Sequence, residues 1–382
     1  MAQADTDARF FSQALCAWFE RCGRDLPWRG APTAYEVWVS ELMLQQTRVS
    51  AVIPYYARWM ARFPTLGDLA RADIDEVMRL WSGLGYYRRA RYLYDGARYV
   101  AERCGGEFPR TVEGLRAVPG IGAYTAGAIA SFAFGLDVPA LDGNAERVYA
   151  RFFGIRGDLS ARAGRAELES TARRVLSFGH GAAVNQAVMD LGSGACGRAA
   201  RCGECPLAAR CRALRDGLVD VLPEKKKRAE KYDEFRAALR LCDGWGRILL
   251  ARRKKELLLG GLWEYPMIEL SRTKGAAALA QARECVNAAR GERWAEWMRA
   301  AEIGAMGHFC QTGRSVSHTF THIQMTVFLD SAEIVSETIA TGKPAPNLAD
   351  GEYDAFEMVA PGDVEGYAMS SLMRRLLAIA PP

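Results

Sequence analysis

With 382 residues the chain is too long for one ordinary hydrophobic core, so two domains are expected and three are admissible. Hydrophobic residues make up 49% and charged residues 25%, the balance of a soluble globular protein, and no apolar run is long enough to cross a bilayer. The net charge of +5 permits nucleic-acid binding without requiring it. Residues 1–7 lack the basic-then-apolar pattern of a signal peptide and the Arg-rich pattern of a transit peptide. The expected address is cytoplasmic, with no membrane attachment.

Residues 7–21, 35–47, 49–63, 73–81 and 88–103 carry apolar side chains at three- and four-residue spacing, with Gly or Pro between them. They predict a run of helices with no clear strand. Segment 37–47 (VWVSELMLQQT) puts Glu41 on the same side of its helix as Val37 and Leu44. A carboxylate there is costly when ionised, so its pKa should rise, as a general acid at neutral pH requires. The alternative is a buried glutamate paired with an arginine. Residues 118–130 (VPGIGAYTAGAIA) join two helices through Pro119, Gly120 and Gly122. Glycines admit turn conformations and close approach, and the helix that follows offers free N–H groups to a phosphate. A helix–hairpin–helix gripping one DNA strand and a tight helix–helix turn both satisfy this pattern. Asp142, in Pro-Ala-Leu-Asp-Gly-Asn, reads either as a plain N-cap or as a carboxylate facing a developing positive charge. Two carboxylates in different environments can cleave a glycosidic bond, one as acid and one as charge stabiliser or nucleophile.

Four of the ten cysteines, Cys196, Cys202, Cys205 and Cys211, are spaced C-x5-C-x2-C-x5-C, with Pro206 after the third. In a reducing compartment such a cluster indicates a metal site and not disulfides. Structural zinc and a [4Fe–4S] cluster are the two occupants to weigh. Zinc sites usually pair two C-x2-C knuckles, so a single close pair leans towards iron–sulfur. Arg198, Arg201, Arg210 and Arg212 make the loop basic, which suits a polyanion or simply solvates the surface.

Residues 223–231 (PEKKKRAEK) are charged and almost devoid of apolar side chains. They read as a solvated linker, or as one that also touches phosphates. Strand signals follow. Phe235, Ala237, Leu239 and Leu241 alternate, 243–246 mark a turn, and 247–252 predict a second strand. Residues 276–299 read as helix. Residues 318–329 read as a strand, with Ile323, Met325, Val327 and Leu329 on one face and Phe320, His322, Gln324 and Thr326 on the other. Residues 369–379 form a closing helix. The expected architecture is multidomain: an all-α domain over 1–217, a linker over 218–232, and an α/β or α+β domain over 233–382.

Taken together, segments 26–29 (LPWR), 37–49, 83–91 (GLGYYRRAR), 118–130, 141–144 (LDGN) and the cysteine loop 196–211 closely resemble the adenine DNA glycosylases of the MutY family, in the same order. The resemblance runs from about residue 26 to residue 328. The related endonuclease III family shares the helix–hairpin–helix, the aspartate and the cluster. The segment around Glu41 and the C-terminal domain favour the adenine enzymes. The resemblance implies that Glu41 protonates adenine and then helps to activate water. It implies that Asp142 stabilises an oxocarbenium-like sugar, directly or through a covalent intermediate, with Asn144 supporting that turn. By the same resemblance, Trp28, Arg29 and Gln186 form the pocket for an adenine drawn out of the stack. Gln45 and Tyr86 wedge into the duplex, Gln46, Thr47, Gly120 and Gly122 also face DNA, and the four clustered cysteines hold a [4Fe–4S] cluster. Lyases of the endonuclease III type carry a lysine at the position of Tyr124, where it forms a Schiff base. A tyrosine cannot do so, and the expected product is an abasic site in an uncut strand.

Residues 257–266 (LLLGGLWEYP) make the C-terminal domain similar to Nudix domains, without the paired-glutamate catalytic box, so no pyrophosphate hydrolysis is expected. Phe320-Thr321-His322 stands where the family carries a Phe-Ser-His loop that reads 8-oxoguanine. Two departures stand out: Thr321 replaces the serine, and five residues instead of six separate Cys196 from Cys202. The implied substrate is double-stranded DNA with adenine opposite 8-oxoguanine or guanine, acted on by a monomer. The rivals are an endonuclease III-like lyase acting on oxidised pyrimidines, and a damage-recognition module that does not cut. Tyr124 counts against the first, Glu41 and Asp142 against the second.

Overall fold

The structure, a computed structural model, describes residues 2–224, 231–273, 290–301, 303, 306–334 and 351–380. The chain divides into two compact units, residues 1–72 with 92–227 and residues 73–91 with 228–382. No helix among the described residues is long and apolar enough to cross a membrane.

The helices follow the apolar spacing closely: α1 (Ala2–Cys22), α2 (Ala34–Leu44), α3 (Val49–Arg62), α4 (Leu66–Ala70), α5 (Ile74–Trp81) and α6 (Arg88–Arg103). They continue as α7 (Val112–Arg116), α8 (Ala123–Phe132), α9 (Gly143–Phe153), α10 (Arg162–Leu176), α11 (Gly181–Ser193) and α12 (Arg212–Arg215). Helix α2 starts at a capping box. The Thr33 hydroxyl accepts from Glu36 N at 3.2 Å, and the Glu36 carboxylate accepts from Thr33 N at 2.7 Å. The expected helix over 35–47 stops at Leu44, and Gln46 takes a left-handed φ of 57°. Gln45, Gln46 and Thr47 bring no apolar side chain to the buried side of the helix. In one core, Phe11 and Leu15 of α1 pack with Tyr149 and Phe152 of α9 and Val184 and Val188 of α11.

Helices α7 and α8 meet through the expected glycine hairpin. Gly120 has φ 80°, and a Cβ there would lie 2.3 Å from Tyr92 Cβ, so only glycine fits. Gly127 on α8 lets the following segment close in: a Cβ would lie 2.1 Å from Pro139 O.

The second unit holds a seven-stranded mixed sheet of β1 (Tyr232–Cys242), β2 (Ile248–Arg253), β3 (Trp263–Glu264), β4 (Met267–Thr273), β5 (Met306–Thr319), β6 (Ile323–Ile334) and β7 (Tyr353–Val359). Strand β1 lies parallel to β6, Ala237 opposite Phe328, and antiparallel to β4; β2 pairs with β3 and β7, and β5 with β6. Alternation along β1 buries both faces. Ala237, Leu239 and Leu241 pack with Trp294 and Trp297 of α13 (Arg290–Ala300), whereas Ala238 faces Leu372 and Leu376 of α14 (Ser371–Ile379). Of the helix expected over 276–299, the part before 290 lies outside the described residues, as do 225–230 of the charged linker.

The strand expected over 318–329 is two strands. β5 ends at Thr319, residues 320–322 turn, and Phe320 N donates to Ile323 O at 2.8 Å. Phe320 packs in the same core as Ile323 and Met325, so the apolar positions change from even to odd across the turn, a phase change that a single-strand reading places on the opposite face. Residues 73–91 pack within this unit. The Met369 carbonyl, just ahead of α14, accepts from Ser82 Oγ at 2.9 Å and from Tyr87 Oη at 3.0 Å. Gly261, at φ 74°, leaves the space that the Arg91 guanidinium fills.

Candidate active site

Helix α2 is buried from Val37 to Met43, which carries Glu41 into the interior at 6% exposure. Tyr124, in the first turn of α8, donates its hydroxyl to the Glu41 carboxylate. Asp142 caps α9, accepting from Asn144 N at 3.0 Å, Ala145 N at 2.7 Å and Asn144 Nδ2 at 2.8 Å. The N-cap reading of Asp142 is therefore correct as geometry, and the same carboxylate also faces the cavity of Glu41.

That cavity has a volume of about 1070 Å³. It is lined by Trp28, Arg29, Glu41, Gln45, Gln46, Thr47, Tyr124, Asp142, Asn144 and Gln186, ten residues singled out in the sequence. Burial pushes the Glu41 carboxyl up to about 7; the Tyr124 hydrogen bond and the Arg29 charge pull it back, and the Asp142 charge adds to the rise. Asp142 is also raised by burial, against the three hydrogen bonds that favour its charged form. Burial, followed by the two carboxylates, holds the Tyr124 phenol well above its usual range. Glu41 is thus paired with a tyrosine and not sealed in an arginine ion pair. A group that takes and gives a proton near neutrality sits beside a second carboxylate inside a desolvated cavity.

Three further contacts were not read from the sequence. Asp190 on α11 binds the guanidinium groups of Arg24 and Arg29, both on the cavity wall. Arg147 joins Asn144 Oδ1, at 2.8 Å, to Cys196 O, at 2.9 Å, and so ties the Asp142 turn to the cysteine loop. Met189 lies 3.9 Å from the Tyr124 hydroxyl. The i, i+4 spacing of Gln186 and Asp190 was the available signal for the first.

Cys196, Cys202, Cys205 and Cys211 are all free thiols, and Cys196, Cys205 and Cys211 pack against the helical core. Burial pushes the Cys205 thiol up to about 11, and the charges of the other three thiols add to this. Four soft thiol donors in one short loop suit a cofactor bearing positive charge. Among the described residues no three His, Cys, Asp or Glu side chains close on a single ion. In the shortened first spacing, Cys196 N donates to Leu191 O at 2.8 Å, and Arg201 N donates to Ala195 O at 2.8 Å.

Tyr86 and the Phe320–His322 turn belong to the second unit. Tyr86 is 47% exposed at φ 49°, and the His322 ring lies 6.0 Å from that of Tyr232.

Residues 39–174 match the family model of the HhH-GPD superfamily base excision DNA repair proteins, and residues 237–378 match the NUDIX domain. The human adenine DNA glycosylase is 34% identical over 388 aligned residues, which cover 87% of this chain and 69% of that protein. The chain belongs to the adenine DNA glycosylases. The enzyme is also 41% identical over 200 residues to the adenine DNA glycosylase of Mycolicibacterium smegmatis, covering 52% of this chain and 67% of that one. Among solved structures, a thermostable thymine-DNA glycosylase superposes with TM-score 0.51 at 25% identity, over 55% of this chain and 98% of that one. The enzyme is therefore a DNA glycosylase, a hydrolase with an HhH-GPD helical portion and a C-terminal Nudix-like portion.

Proposed function

We propose that the enzyme removes adenine paired with 8-oxoguanine or guanine in double-stranded DNA, and leaves the backbone intact. The observation that carries this reading is Glu41, raised to about 7 and bonded to Tyr124, in one cavity with Asp142. Glu41 gives its proton to a ring nitrogen of the flipped adenine. The N-glycosidic bond breaks with its electron pair leaving on the base, and the Asp142 carboxylate faces the positive charge that develops on the sugar. Water then adds to the sugar carbon, and the proton it loses returns to Glu41. The group nearest the acid is a phenol bound to Glu41 and not an amine, so no Schiff base forms there and no strand is cut by that route.

Trp28, Arg29 and Gln186 enclose the adenine; Gln45 and Tyr86 enter the duplex. Gln46, Thr47, Gly120 and Gly122 contact it, and Asn144 steadies the Asp142 turn. Phe320, Thr321 and His322 read the oxidised guanine, and the Thr321 hydroxyl keeps a hydrogen-bonding group there. Cys196, Cys202, Cys205 and Cys211 hold a [4Fe–4S] cluster, which supplies a structural cross-link to the loop when bound. In chain order the catalytic portion is 1–217, the linker 218–232 and the recognition portion 233–382. The enzyme acts as a monomer in the cytoplasm.

The deciding experiment is single-turnover reaction with a duplex carrying adenine opposite 8-oxoguanine, with and without alkaline treatment. Strand breaks only after alkali are expected. Breaks without alkali, trapped covalently by borohydride, would replace this reading with a lyase.

A further inference from the structure

Two guanidinium groups on the cavity wall end on one buried carboxylate. Asp190 is 5% exposed, one helical turn beyond Gln186 on α11. Its Oδ1 accepts from Arg24 Nε and from Arg29 Nη2, both at 2.8 Å, and also from Arg24 Nη2. Its Oδ2 accepts from Arg29 Nη1 at 2.8 Å and from the backbone N–H of Arg24 at 3.1 Å. The two-pronged contact fixes the plane of the Arg29 guanidinium as well as its place. Phe19 supports that plane, with its ring centre 5.2 Å from the guanidinium carbon, and Arg29 Nη1 also donates to Arg24 O at 2.9 Å.

We propose that Asp190 is the counter-ion that positions Arg29 in the adenine pocket and offsets its charge at the Glu41 acid. The proposal rests on the reading of Glu41 as the acid. Glu41 faces Tyr124 from α8, Asp142 from the cap of α9 and Arg29 from the loop before α2. Arg24, Arg48 and Arg198 are the other charged groups on the cavity wall. Arg29, whose side chain is largely buried, would without a counter-charge favour the carboxylate form of Glu41 and strip the acid of its proton, with the more exposed Arg24 adding less. Asp190 cancels one of those charges and accepts from two donors of each guanidinium. Burial alone would raise its own carboxyl, but the hydrogen bonds from Arg29 and Arg24 hold it below the usual carboxylate value. Asp190 therefore stays charged throughout the range in which Glu41 titrates. It is a positioning residue acting through Arg29.

The test is the pH dependence of single-turnover adenine excision by the full-length wild type, D190N, D190E and R29Q. The wild type loses activity as pH rises through the Glu41 transition. D190N moves that midpoint down by about one pH unit, so excision above both midpoints falls about tenfold. D190E keeps the charge and returns the midpoint towards that of the wild type. R29Q moves it up, because Glu41 loses its positive neighbour. If D190N slows excision by one factor at every pH, Asp190 serves only the fold and the proposal is wrong. Should D190N fail to fold, R29Q decides alone: an unchanged midpoint overturns the proposal. A wild-type profile with no alkaline limb, or an active E41Q enzyme, would instead remove the acid assignment beneath it.

Discussion

Glu41 binds its proton more tightly in the folded enzyme than in an unfolded chain, and this has a cost in stability. The folded value is raised, so the native state holds more protons than the unfolded state, and stability falls as pH climbs from the ordinary 4.5 through about 7. That interval corresponds to about 3 kcal/mol above neutrality. Glu41→Gln keeps an oxygen that can accept from Tyr124 but carries no charge. It should therefore raise Tm at pH 8 and leave Tm almost unchanged at pH 4.5, while retaining DNA binding and losing adenine excision by more than a hundredfold. Thermal melts at the two pH values, beside an excision assay, check both halves; a variant no more stable at pH 8 would mean that Glu41 is not held protonated by burial. At this scale the sequence was informative wherever chemistry and pattern conflict. An acid on an apolar helix side, an aspartate ahead of a helix and a cysteine cluster each stand out in one dimension. Asp190 does not, because its partners Arg24 and Arg29 lie 166 and 161 positions away.

Helices α2, α8 and α9 bring the two carboxylates together only because α8 carries no side chain at Gly127. A Gly127→Val change would force the added atoms into the Pro139 carbonyl, which a Cβ would approach to 2.1 Å. Moving the segment that ends in Asp142 should cost about 1–3 kcal/mol of stability. Excision should fall further than the unfolded fraction explains, since Asp142 moves away from Glu41. Denaturant melts paired with single-turnover rates at a temperature where the variant is folded would show this, and a normal rate would place the close packing outside the mechanism. Element existence was legible from periodicity because most of these helices bury one continuous side. Element ends were not. Gln45-Gln46-Thr47 leaves α2 without a Gly or Pro to mark it, and the Phe320–His322 reversal shows in the sequence only as a one-residue phase change between Phe320 and Ile323, with no Gly or Pro at the turn.

For the whole molecule, recognition and cofactor retention give two separate readouts. His322→Ala should lower the ratio of excision opposite 8-oxoguanine to excision opposite guanine at least tenfold, with the guanine rate nearly unchanged. Measuring both rates with one enzyme preparation checks it, and an unaltered ratio would take the turn out of lesion reading. Cys205→Ser should lower bound iron and Tm together, since it removes one of four thiolates from a loop that Arg147 and Arg151 tie to α9 through the Cys196 carbonyl. Iron content by metal analysis equal to that of the wild type would contradict the assignment.

The acceptor shared by Ser82 and Tyr87, the carbonyl of Met369, is encoded 287 codons after Ser82. A nonsense codon late in the gene thus does more than delete the Nudix-like portion. It removes the partner that residues 73–91 were built to meet, in a stretch of message that remains intact. An allele truncated ahead of Met369 should be scored as damaged on both sides of the stop, and restoring the missing segment in trans would have to rebuild that contact before it restored repair.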